Sequence, residues 1–95
     1  MPKLMTPDEV ELVVSEELAD WDYEDDSLVR SVVAPTFTAG IDLVDAVAVV
    51  AEELDHHPDI DIRWTTITFR LSTHSAGGVT YNDVQLAERI DAIVG

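Results

Sequence analysis

Between Leu28 and Leu71 the spacing of apolar residues changes period twice, and that double change leaves few architectures open to the chain. Leu28 to Ala34 is apolar apart from Arg30 and Ser31, as a largely buried strand requires. From Thr38 to Leu54 the apolar positions Ile41, Val44, Val47, Ala48, Ala51 and Leu54 follow a 3.6-residue period. The valines of that run would also suit a strand, but its length decides for a helix of about four turns. After Pro58, Ile60, Ile62 and Trp64 alternate with polar residues, and Ile67, Phe69 and Leu71 alternate with Thr66, Thr68 and Arg70. This predicts a hairpin turning near Thr65-Thr66, although threonines are poor turn residues.

The flanking segments complete the pattern. Thr6-Pro7-Asp8-Glu9 has the form of a helix start: a threonine cap, proline at the first helical position and a glutamate that closes a capping box. Val10, Val13, Val14 and Leu18 give that helix an apolar side, and it is expected to end near Ala19. Trp21 and Tyr23 alternate with acids up to the turn-rich Glu24-Asp25-Asp26-Ser27, which predicts a first hairpin with the Leu28–Ala34 strand, and Ala34-Pro35-Thr36 breaks it. Gly77-Gly78 closes the last strand, Thr80-Tyr81-Asn82-Asp83 reads as a second capping box, and Val84, Ala87, Ile90, Ala92 and Ile93 mark a final helix. The order αββαββα implies the α+β class: a four-stranded antiparallel sheet with three helices packed on one face. Residues 1–95 are expected to form a single domain, with 1–5 as a flexible tail.

Ninety-five residues, 46% of them hydrophobic, suffice for one core and no second. A domain this small buries only about 60–65% of its unfolded surface, which favours pairing with another copy as a dimer. Twenty acidic residues against five basic ones give a formal charge of −15, with no basic run for phosphate contacts, so direct nucleic-acid binding is not expected. The same charge disfavours anionic membranes, and no apolar run approaches the ~20 residues that span a bilayer. With no signal pattern at the amino terminus, a cytoplasmic location is expected. The absence of cysteine removes disulfides and thiolate metal sites. Acidic runs such as Glu24-Asp25-Asp26 read as solvated surface.

All three histidines fall between Glu52 and Asp83: His56 and His57, in Asp55-His56-His57-Pro58, and His74, in Ser72-Thr73-His74-Ser75. Histidine, with an unperturbed pKa of about 6.5, both gives and takes protons near neutrality. The adjacent pair follows the long helix, whose carboxyl end favours a protonated imidazole, and Pro58 forces an extended departure, so the two rings should diverge. Glu52, one turn before His56, and Asp55 are each placed to orient an imidazole. Asp83 reads first as a helix cap. Trp64 is expected in the core, with stacking on a flat heterocycle as the alternative. A metal site from His57, Asp59 and His74 is disfavoured, because the spacing is short and adjacent histidine rings diverge.

Glu52, His56-His57-Pro58, Trp64, His74 and Asp83, at their spacings over 32 residues, resemble the signature of the pterin-4a-carbinolamine dehydratase family. Ala51, Thr73, Gly77-Gly78 and Leu86-Ala87 agree with it, and the resemblance extends from about Thr6 onward. It implies the same αββαββα fold and the dehydration of 4a-hydroxytetrahydropterin to quinonoid dihydropterin, a step of tetrahydropterin recycling that needs no metal or organic cofactor. His56 and His74 would then be the acid/base groups, and His57 would position the pterin. Asp55, Pro58 and Thr73 would line the pocket, with Glu52 and Asp83 as further site residues. Some relatives partner a transcription factor, so the resemblance also admits a non-catalytic dimerisation or binding module, or a pterin-site protein of molybdopterin metabolism. The chain departs from the family pattern at Val32, Ala34, Gly40 and Leu43, where relatives carry several phenylalanines that serve core and oligomer packing; the resemblance implies a homodimer or homotetramer.

Overall fold

The structure is a computed structural model that describes residues 3–95. Its elements are α1 (Pro7–Glu17), β1 (Asp22–Glu24), β2 (Ser27–Val33), α2 (Phe37–Leu54), β3 (Asp59–Arg63), β4 (Thr66–Leu71) and α3 (Tyr81–Val94), in the expected order. The strands form one antiparallel sheet in the order β1-β2-β4-β3. β4 therefore sits between β2 and β3, and α2 crosses over it.

Alternation along the strands sorts the sheet into two faces. Leu28, Arg30 and Val32 of β2 lie opposite Leu71, Phe69 and Ile67 of β4 and point toward the helices. There Leu28, Leu71, Phe69 and Ile67 join Val10 and Leu18, Val47 and Val50 from α2, and Val84, Leu86, Ala87 and Ile90 from α3 in one core, with Val32 packed against it. Burying each large apolar side chain contributes roughly 1.5–3 kcal/mol before conformational entropy is charged against it. On the other face Ser31 and Thr68 share a hydrogen bond of 2.8 Å, and Arg70 lies 3.6 Å from the Glu24 carboxylate.

Both predicted capping boxes form. Thr6 Oγ1 accepts the Glu9 N–H at 3.2 Å while Glu9 Oε1 accepts the Thr6 N–H at 2.8 Å, and Thr80 and Asp83 do the same for α3. α2 is capped by Thr36, whose Oγ1 accepts from Ala39 N–H at 3.0 Å. α2 also packs close to the sheet: a Cβ on Gly40 would lie 3.1 Å from Ile67 Cδ1, so a larger residue there must shift the end of the Ile67 side chain by a few tenths of an ångström.

Several expectations are corrected. α1 stops at Glu17, with Leu18 as its cap, rather than near Ala19. α2 begins at Phe37 and is 18 residues long, five turns rather than four. β3 ends at Arg63, and the turn falls on Trp64-Thr65 rather than Thr65-Thr66, with Trp64 in the left-handed region at φ 53°. Trp64 is 79% exposed, so it is not a core residue: the turn that carries it leaves the sheet before the strand's alternation could turn it inward. Leu4 and Met5, expected in a flexible tail, are tied to the start of α3: Leu4 bridges Thr80, and Met5 N–H donates to Val79 O at 2.9 Å. Met1 and Pro2 of that tail lie outside the described residues.

Three of the four positions at which the resemblance leads one to expect phenylalanines come together in space. Val32, Ala34 and Leu43 line a groove of about 390 Å³ between the end of β2, the first half of α2 and the end of α3, at the sheet end remote from the histidines.

Candidate active site

The site begins with the way α2 stops. Asp55 N–H donates to Glu52 O at 3.3 Å and His56 N–H to Ala51 O at 3.0 Å, while Asp55 takes a left-handed conformation at φ 49°. This paired arrangement normally ends on glycine, and aspartate is one of the few other residues that tolerate it. The reversal, followed by Pro58, sends the two adjacent rings apart.

His56 turns inward. Its side chain is 12% exposed, and Nε2 lies 2.5 Å from Asp83 Oδ1. His57 turns outward and pairs through Nε2 with the Glu52 carboxylate, both side chains being exposed. Glu52 thus serves His57, not the His56 one helical turn along from it.

Asp83 is completely buried at the third position of α3. A bare buried carboxylate would be costly, and here each of its two oxygens has a hydrogen-bond partner. Oδ2 accepts the Thr80 N–H at 2.9 Å and the Thr73 hydroxyl at 2.8 Å, while Oδ1 faces His56. Asp83 is therefore at once a helix cap and the partner of an imidazole, two readings that sequence treats as competitors.

His74 follows Thr73 in a tight loop. Thr73 N–H donates to Gly78 O at 2.8 Å, Gly77 N–H donates back to Thr73 O at 3.0 Å, and Gly77 takes φ 79°, which glycine adopts without strain. The loop leaves His74 exposed while Thr73 is buried beneath it. Since Thr73 reaches Asp83, and Asp83 reaches His56, one hydrogen-bond chain joins the loop of His74 to the end of α2.

Of the residues singled out from sequence, His56, Thr73 and Asp83 are in direct contact through this chain, Glu52 joins His57, and Asp55 and Pro58 form the reversal that separates the pairs. Trp64, five residues beyond Asp59 along β3, stands at the far end of the strand from His57, so it does not stack on a ligand held beside the histidines of its own chain. Thr80 is the functional contact missed: its place in a capping box explained it fully, and nothing in the sequence separates an N-cap that also braces a buried carboxylate from one that does not. Among the described residues no group of three or more histidine, aspartate or glutamate side chains is arranged to hold a metal ion.

Comparison with known proteins bears on this arrangement. The family model described as pterin 4 alpha carbinolamine dehydratase matches residues 3–93. The chain belongs to that family. A Mycolicibacterium smegmatis protein provisionally named pterin-4-alpha-carbinolamine dehydratase is 58% identical over 77 residues, 81% of this chain and 82% of that protein. One from Mycobacterium avium with the same provisional name is 49% identical over 92 residues, 97% of each chain. Among solved structures, a transcriptional coactivator/pterin dehydratase from Brucella melitensis superposes with a TM-score of 0.89 at 29% identity, covering 96% of this chain and 98% of that one. A pterin dehydratase-like protein described as a RuBisCO assembly factor of the alpha-carboxysome shares the fold, with a TM-score of 0.65 at 21% identity over 79% of this chain and 87% of its own. The αββαββα order with three helices over one antiparallel sheet is thus that of the pterin dehydratase family.

Proposed function

We propose that this pterin-4a-carbinolamine dehydratase family member catalyses the dehydration of 4a-hydroxytetrahydropterin to quinonoid dihydropterin and water. The observation that carries the reading is the pairing of the two adjacent histidines with separate carboxylates, His56 with buried Asp83 and His57 with Glu52, beside the loop that presents His74. The chemistry asks for such groups. Hydroxide is a poor leaving group, so the C4a–O bond breaks as an imidazolium delivers a proton to the oxygen and water departs. The N5 lone pair forms the new bond to C4a, and the N5 proton passes to a base or to water. His56 and His74 are assigned the acid/base roles and His57 the positioning of the ring. Asp55 and Pro58 shape the pocket edge, with the substrate a small-molecule pterin and the working assembly a homo-oligomer.

The test is the rate at which synthetic 4a-hydroxytetrahydropterin is converted to the quinonoid product, followed by ultraviolet absorbance with chelator-treated protein at low and high salt. Acceleration that survives the chelator supports metal-free dehydration. No acceleration by folded protein at either salt level would instead favour a binding role. Within an active protein, His57→Ala and His74→Ala are each expected to lower the single-turnover rate by roughly 10²-fold with the fold unchanged. Parental rates in both variants would overturn the assignment.

A further inference from the structure

Two buried threonine hydroxyls stand behind the His56–Asp83 pair, and the direction of their hydrogen bonds is forced. A carboxylate has no proton to donate, so Thr73 Oγ1 gives its single proton to Asp83 Oδ2. Thr73 Oγ1 also lies 2.8 Å from Thr80 Oγ1, and with its own proton committed it accepts there while Thr80 donates. Thr80 Oγ1 accepts in turn from the Asn82 N–H at 3.2 Å, and the Thr80 N–H is the second donor to Oδ2. Thr73, Thr80 and Asp83 are 5%, 1% and 0% exposed, so water has little access to replace a missing link.

We propose that the Thr80–Thr73 hydroxyl pair is a positioning device for His56. The Thr80 hydroxyl aims the Thr73 hydroxyl at Oδ2, where it joins the Thr80 N–H; this leaves Oδ1 to accept the Nε2 hydrogen of His56, which fixes the neutral ring in one tautomer and makes Nδ1 the nitrogen that exchanges a proton during turnover. Because Thr73 directly precedes His74, the same hydroxyl also indexes the loop of His74 to the carboxylate that orients His56. Neither threonine touches the reacting atoms in this role. The catalytic consequence rests on the dehydratase reading, whereas the tautomer assignment stands on the hydrogen bonds alone.

The experiment is ¹⁵N magnetic resonance of the imidazole nitrogens of the full chain, above the histidine titration range, for the parent and for Thr73→Val, Thr80→Val, Thr73→Ser and Thr80→Ser, with steady-state kinetics alongside. In the parent, His56 is expected to show a protonated Nε2 and an unprotonated Nδ1. The valine variants should move both resonances toward tautomer averaging and lower kcat about tenfold with KM little changed, and the serine variants should restore both readouts. A parent spectrum with the proton on Nδ1 would overturn the proposal without recourse to any variant. So would folded valine variants that keep the parental ¹⁵N pattern. Were the parent inactive on the pterin, the spectra would still decide the positioning role, so the two readings fail separately.

Discussion

At the residue scale the chain separates acids that are solvated from acids that are committed. Glu9 shows the commitment at a fully exposed position. Hydrogen bonds from the Thr6 N–H and hydroxyl hold its carboxyl below the ordinary glutamate value of 4.5. A pKa depressed by folding contributes stability that is complete above the unfolded value and is lost as pH falls through the folded one. Glu9→Gln should therefore cost stability at neutral pH and little in strong acid. Urea unfolding between pH 7 and pH 3 would show it as a shallower acid limb than the parent's, and identical limbs would refute a charge contribution from the capping carboxylate. Asp83 is the opposite kind of acid: removed from water, surrounded by donors and tied to His56. Residue type and spacing name Asp83 as a candidate, but which of its two roles holds depends on Thr73, ten residues away in sequence, folding back to meet it.

Among the elements, the turns carry the strain. The β1–β2 hairpin is closed by Asp25 and Asp26, both left-handed at φ 50° and 58°, a two-residue turn whose second position is best served by glycine. Asp26→Gly should raise stability by about 1 kcal/mol, visible as a higher Tm in a thermal scan, and an unchanged or lower Tm would show that the Asp26 backbone is not strained. A second fastening lies between elements. Asp91 Oδ1 accepts from Trp21 Nε1 at 2.8 Å and from Arg30 at 2.5 Å, joining α3, the segment before β1, and the core-facing side of β2. Asp91→Ala leaves a largely buried guanidinium and an indole N–H without their acceptor and should cost about 2 kcal/mol, measured as a lower urea midpoint with unchanged slope. Both capping boxes and the changes of period were legible because caps and amphipathic faces are local properties. The position of Trp64 was not, because a turn's φ angles are set by the register of the strands it joins and override alternation. The Trp21–Arg30–Asp91 contact was equally hidden, since it joins residues 61 and 70 apart in sequence.

For the molecule as a whole, the charge of −15 is a standing repulsion spread over a small surface. Screening relieves it, so Tm should climb as sodium chloride rises from ~0.01 M to ~0.5 M, over which the Debye length shrinks from about 30 Å to a few Å. A Tm that is flat with salt would mean that local ion pairs such as Arg89–Glu53 and Arg63–Asp61 already offset the excess. Set against that diffuse push, besides its packing in the core and the exposed Arg89–Glu53 pair, α3 is fastened by shielded polar contacts at two points: Asp83 near its start and Asp91 near its end. Eight residues of helix put them about 12 Å apart. The helix behaves as a tie rod bolted at both ends, with the histidine mounted on one bolt. Slackening the Asp91 bolt leaves every contact of His56 nominally present while letting the rod rock, so damage far from the chemistry would reach it as lost alignment before it is seen as lost structure.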